Sequence, residues 1–160
     1  MSVAFVREES AEFAQEVELP PRPLSPHPNL VTTAGLAALQ RGQLEARQAI
    51  EAGRQLDDPL ERRRAAAHAQ RDLEYFHERL LTAELQRDPT SHETVSFGAK
   101  VTIKRDGART LTYRIVGEDE AEPREGSISY IAPLAHALMG KRVGDFVELD
   151  GHEVEVLAIE

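Results

Sequence analysis

Three carboxylates stand within five positions of one another: Asp57, Asp58 and Glu61. Two at an expected turn and a third one helical turn on would offer hard oxygen ligands to a divalent cation. Such an ion wants about six oxygens, so a metal role for this cluster needs further ligands from a partner. The same residues also have a purely structural use. Asp58 is a good N-cap, Pro59 suits the first helical position, and Asp57 and Glu61 favour the positive end of a helix. Arg62, Arg63 and Arg64 follow at once. They suit a phosphate or an acidic partner surface, or simply form a solvated helix face.

Other chemistry finds few carriers. The chain has 160 residues, no Cys and no Trp, which removes disulfides, thiolate zinc sites and Cys nucleophiles. The six His are His27, His68, His77, His92, His136 and His152, and none has the helix spacing of a zinc site. Ser25, Ser96, Ser127 and Ser129 lack the G-x-S-x-G elbow, and there is no P-loop and no G-x-G-x-x-G. No self-contained enzyme emerges. Aromatics make up 5% of the chain and the formal net charge is −9, which disfavours direct nucleic-acid binding. The longest apolar runs are a few residues, too short to span a bilayer. The start lacks a basic n-region and an h-region, so the expected location is the cytoplasm.

The charge is uneven. Residues 1–31 hold five acids and two bases, residues 32–88 ten and nine, and residues 89–160 thirteen and eight. The nine bases of the middle zone are all Arg. These zones match three expected regions. Residues 1–31 read as an acidic, Pro-rich tail, with Leu19 to Pro28 extended and largely unfolded. Residues 32–88 read as an antiparallel helical hairpin with coiled-coil geometry. Thr32 or Thr33 caps the first arm, whose seam is Leu36, Leu39, Gln43, Ala46, Ile50 and Gly53. The second arm, over 60–87, has the seam Ala66, Ala69, Leu73, Phe76, Leu80 and Ala83.

Residues 89–160 change period. Val95, Phe97, Ala99, Val101 and Ile103 alternate as a half-buried strand does, and Asp106-Gly107 signals a hairpin turn. Leu111, Tyr113 and Ile115 continue on a second strand, and residues 117–123 form an acidic loop. A short strand at 128–130, a short helix from Pro133 to Gly140 and two strands around the Asp150-Gly151 turn complete a small α+β domain. Ile131 to Ala135 is a semi-exposed apolar stretch, either core or a docking patch.

These residues resemble a known family. The stretch 95–101, then 113–121 (Tyr-Arg-Ile-Val-Gly-Glu-Asp-Glu-Ala), Ile128-Ser129, Pro133-Leu134-Ala135, 137–141 and Gly144-Asp145 are similar to the C-terminal domain of bacterial GreA/GreB transcription elongation factors. Val31 to Leu36 resembles the start of that family's coiled coil. The resemblance covers about 32–160. It implies an N-terminal antiparallel α-helical coiled coil followed by a small FKBP-like α+β domain, on a monomer. It implies RNA polymerase as partner, with nucleic acid reached only through it and no membrane. It further implies that the protein is no enzyme. The hairpin would enter the polymerase's secondary channel, and tip carboxylates would help hold the polymerase's catalytic Mg²⁺, so that backtracked RNA is cleaved. No cofactor would be tightly bound. Mapped by position, Asp57, Asp58 and Glu61 are the tip carboxylates, with Asp57 and Asp58 the metal-sharing pair. Ile131, Pro133, Leu134, Arg62 and Arg63 are the partner-binding residues.

The sequence departs from the family pattern in three places. Asp57-Asp58-Pro59-Leu60-Glu61 replaces the tip motif Asp-Leu-(Ser/Lys)-Glu-Asn. The first arm is shorter by about two turns, on the order of 12 Å. Ala132 stands where Ser usually precedes Pro133. A short probe with an altered tip would favour a second function, that of a non-cleaving channel regulator competing with Gre factors, or a relative of the nucleoside diphosphate kinase regulators. Peptidyl-prolyl isomerase activity is suggested by the FKBP-like fold alone, and fold does not carry function.

Overall fold

The computed structural model describes residues 19–160. The tail expected over residues 1–31 lies outside the described residues as far as residue 18. The chain divides into two compact units, one built from the hairpin over Leu39–Leu81 with the segment ending at Leu24, the other from Ser25–Ala38 and Thr82–Glu160.

In the first unit, helix α1 (Thr33–Arg54), which begins in the second unit, and helix α2 (Pro59–Leu81) form the two arms. At 1.5 Å per residue each is about 33–35 Å long. They run antiparallel. A methyl group added at Gly42 would meet the Phe76 ring at 2.5 Å, and eleven residues on, one at Gly53 would meet Ala65 at 3.3 Å. Leu39, Ala46, Gly53 and Ala69 are buried, and Leu36, Gln43, Ile50, Leu73, Phe76 and Leu80 are half-buried. The 3-4 spacing thus marks the inward face of both arms. It slips near the start of the second. Ala66 is exposed and Ala65 takes its place opposite Gly53, as a 3.6-residue helix drifts against a 3.5-residue repeat.

The second arm ends earlier than its apolar spacing suggests. Ala83–Leu85 is strand β2, paired in parallel with strand β1 (Asn29–Val31). Residues 29–31 therefore do not belong to a tail. Asn29 and Val31 are buried, and the Asn29 side-chain amide donates to Thr82 Oγ1 at 3.3 Å. Nor is the segment before them unfolded. Residues 19–28 contain no helix or strand, yet Arg22 lies 3.7 Å above the Tyr75 ring centre and 3.2 Å from Asp72. Proline blocks backbone pairing here, so side chains fix the segment.

The second unit carries a five-stranded sheet in the order β5-β4-β3-β7-β6. Its strands are β3 (Lys100–Arg105), β4 (Arg109–Val116), β5 (Ser127–Ser129), β6 (Phe146–Leu149) and β7 (His152–Ile159). All neighbours are antiparallel except β4 and β5. Both hairpin turns use left-handed residues, Asp106-Gly107 at φ 50° and 68° and Asp150-Gly151 at 52° and 75°, as tight turns between twisted strands require. The first strand starts at Lys100 and not at Val95. Gly98 turns the chain at φ +85°, and its N–H donates to Ile115 O at 2.8 Å. Val101, Ile103, Ile115, Val154 and Val156 fill the core together with Ala135 and Leu138 of the short helix α3 (Pro133–Leu138). The α+β class is therefore correct.

Candidate functional site

The tip of the hairpin is built from backbone outward. At the end of α1, Gln55 N–H and Leu56 N–H bond the carbonyls of Ala52 and Gly53, tightening the last turn. Asp58 then caps α2. Its Oδ1 accepts from Leu60 N–H at 2.7 Å and from Glu61 N–H at 2.9 Å, and its carbonyl takes the first helical bond from Arg62 N–H. These two backbone donors hold the Asp58 carboxyl below its ordinary value, helped by the charges of Arg64 and Arg62.

Arg62 does not stand free for a partner. It folds back over the turn, donating through Nε to Leu56 O at 3.0 Å and through Nη2 to Asp57 O at 3.1 Å. Both carbonyls belong to the end of the first arm and the loop, where no helical donor reaches them. Arg62 is thus a clasp that fixes the loop carrying Asp57. Nothing in the spacing of Arg62 and Leu56 announces this, since the bond forms only once the chain has turned. Arg63 is exposed.

The carboxylates differ in what they can offer. Asp57, Asp58 and Glu61 are all exposed. One Asp58 oxygen is occupied by two backbone donors. Among the described residues no three His, Asp or Glu side chains form a group that could hold a metal ion. The tip therefore presents its carboxylate oxygens to solvent.

A second carboxylate has a role that the acidic loop at 117–123 did not suggest. Glu120 accepts from Thr32 N–H at 3.0 Å, from Gly117 N–H at 3.3 Å and from the Thr32 hydroxyl. Thr32 in turn caps α1, its Oγ1 accepting from Gly35 N–H at 3.1 Å. Gly35 is required here, because a Cβ would overlap the Glu120 carboxyl group. A carboxylate is thus seated at the positive start of the helix that leads to the tip. The glycine three residues after a capping Thr was the available signal.

The apolar stretch expected as core or docking patch divides. Ala135 is buried, Ala132 and Leu134 pack against the core, Ile131 is half-buried and Pro133 is exposed. Ala132 occupies the N-cap of α3 and makes no side-chain cap bond. More exposed apolar side chains missed by that reading lie further on, with Val143 57% and Phe146 55% exposed.

Comparison with known proteins adds to this geometry. Residues 90–160 match the family model described as transcription elongation factor, GreA/GreB, C-term. The transcription elongation factor GreA of Bradyrhizobium sp. (strain BTAi1) is 36% identical over 137 residues, covering 74% of this chain and 85% of that protein. GreA of Methylobacterium nodulans is 35% identical over 150 residues, 81% and 94% of the two chains. The crystal structure of GreA factor homolog 1 of Thermus thermophilus covers 84% of this chain and 99% of that one, at 23% identity and a TM-score of 0.39. The last superposition is too loose to build on, whereas the two sequence relatives extend through most of both chains. The chain belongs to the bacterial GreA/GreB family of transcription elongation factors.

Proposed function

We propose that this protein binds RNA polymerase, inserts its helical hairpin into the secondary channel and stimulates cleavage of backtracked RNA. The supporting observation is the tip. Exposed carboxylates sit on a turn pinned by the Asp58 cap and the Arg62 clasp, at the end of arms about 33–35 Å long. The cleaving Mg²⁺ belongs to the polymerase, and two-metal hydrolysis stabilises the attacking and leaving oxygens. Asp57 and Glu61 are the side chains here with oxygens to spare for such an ion, and Asp58 contributes its second oxygen. The role of this chain is to position those groups, and the FKBP-like description of the C-terminal domain belongs to the same reading. Ile131, Pro133 and Leu134 are assigned to docking. The test is a purified backtracked polymerase complex, whose transcript shortens faster when the protein is added. No acceleration overturns the proposal.

A second reading is favoured by the occupied Asp58 oxygen and by the lack, among the described residues, of a converging carboxylate group. In it, the protein fills the channel without promoting cleavage. It would slow cleavage driven by an added GreA, and unchanged GreA-driven cleavage at saturating protein counts against it.

A further inference from the structure

The five-stranded sheet has two edges, and they differ. At the β5 edge the chain folds back on itself. Ser127 N–H donates to Glu122 O at 3.2 Å, and the Ser127 hydroxyl donates to Glu120 O at 3.1 Å. The other edge is β6, which among the described residues pairs with β7 alone. Alternate residues of an antiparallel edge strand point N–H and C=O away from the sheet, so β6 presents unpaired backbone groups. Proline and lysine, which blunt many edges, are absent from Phe146–Leu149. Apolar surface accompanies the open edge. Phe146 is 55% exposed, and Val143, just ahead of the strand, 57%. Val147 and Leu149, on the core side, are half-buried.

Charge decides what suits this edge. On the outer face Phe146 stands opposite Glu155, and Glu148 opposite Glu153. Glu155 has Lys104 of β3 on its other side. Glu153 has Asp106 there, whose N–H donates to Glu153 O at 2.9 Å and whose carboxylate accepts from Glu153 N–H at 3.1 Å. That carboxylate is also bonded to His152 Nδ1 at 2.7 Å. Glu148 and Glu153 thus face each other with no ion-pair partner among the described residues. Like charges directly opposed across two strands destabilise a sheet. The nearest basic residues in sequence, Lys141 and Arg142, precede Gly144 and so lie ahead of the strand. A second copy of the chain paired edge to edge would set two such acidic pairs side by side. A strand carrying Lys or Arg next to Glu148 offsets the repulsion instead.

We propose that β6 is a docking edge for an extended segment of a basic partner protein. The segment adds one strand to the sheet, with a Lys or Arg opposite Glu148 and an apolar residue opposite Phe146. Its alternate residues, next to Val147 and Leu149, are apolar. Main-chain hydrogen bonds to the edge supply affinity, and the alternating side chains supply selectivity. The proposal is independent of the polymerase reading, and its test contains no polymerase.

The probe is a capped octapeptide of alternating Lys and Val, added to the full chain at low salt. Amides of β6 that face away from β7 should exchange about tenfold more slowly once the peptide stands at about ten times its dissociation constant. An octapeptide of alternating Glu and Val should leave them unchanged. Glu148→Lys combined with Glu153→Lys should reverse the preference, so that the Glu peptide protects and the Lys peptide does not. Phe146→Ser should weaken the Lys peptide in the otherwise unaltered chain. Binding of the Lys peptide without slowed exchange in β6 overturns the proposal, as does equal protection by the two peptides. Protection that grows with protein concentration in the absence of peptide also overturns it, since the occupant is then a second copy of the chain.

Discussion

Asp58 shows how one carboxylate is drawn into two tasks. As a cap it satisfies two orphan N–H groups, and those donors depress its pKa below 3.8. A depressed pKa means that the ionised cap stabilises the fold above about pH 3.8, and that this contribution is lost as pH falls through the lowered value. Asn caps a helix about as well as Asp but does not titrate. Asp58→Asn should therefore lower the melting temperature slightly at pH 7, where the helix start and Arg64 favour a charge. The gap should close as pH falls through the lowered value. A gap that is constant with pH would show that the cap charge plays no part. Arg62 makes a separate claim. Removing its two bonds with Arg62→Met should speed amide exchange at residues 55–58 by about two- to tenfold, the equivalent of one hydrogen bond of ordinary worth. Unchanged exchange would mean that the clasp is incidental. The capping role of Asp58 was legible from Asp-Pro ahead of an apolar repeat. The role of Arg62 was not, because its acceptors are main-chain carbonyls that any sequence supplies.

The elements follow from period and punctuation where contacts are local. The arms, the Asp-Gly turns and the β4 strand all announce themselves in spacing of 3-4 or 2. What escaped is pairing at a distance. Asn29–Val31 and Ala83–Leu85 are three-residue strands fifty residues apart, joined in parallel across the base of the hairpin. Neither is long enough to show alternation, and Ala83 fits the helical seam equally well. Glu120 has the same character. Its partners Thr32 and Gly35 lie more than eighty residues away, and it reads locally as one acid among several in a loop. Its removal leaves Thr32 N–H and Gly117 N–H without an acceptor, and such a partly buried loss costs about 1–3 kcal/mol. Glu120→Ala should lower the unfolding free energy by that amount in denaturant titration. Glu120→Gln, which keeps one acceptor oxygen, should cost less. If both variants match the wild type, the carboxylate does not hold the start of α1.

At the scale of the whole molecule, charge and function meet. The net charge of −9 argues against free nucleic acid as a ligand, and the proposed function requires none. In the proposed function the charge that matters is that of Asp57, Asp58 and Glu61 at the end of an Arg-rich hairpin, where all three are exposed. The measurement that tests this most directly is transcript shortening in a backtracked polymerase complex with the wild type and with Asp57→Asn combined with Asp58→Asn. Asn retains the cap, so the arms persist while the tip keeps only the charge of Glu61. The account predicts that the wild type accelerates cleavage and that the double variant loses at least tenfold of that acceleration while still competing with GreA for the polymerase. Equal acceleration by the two proteins would contradict it.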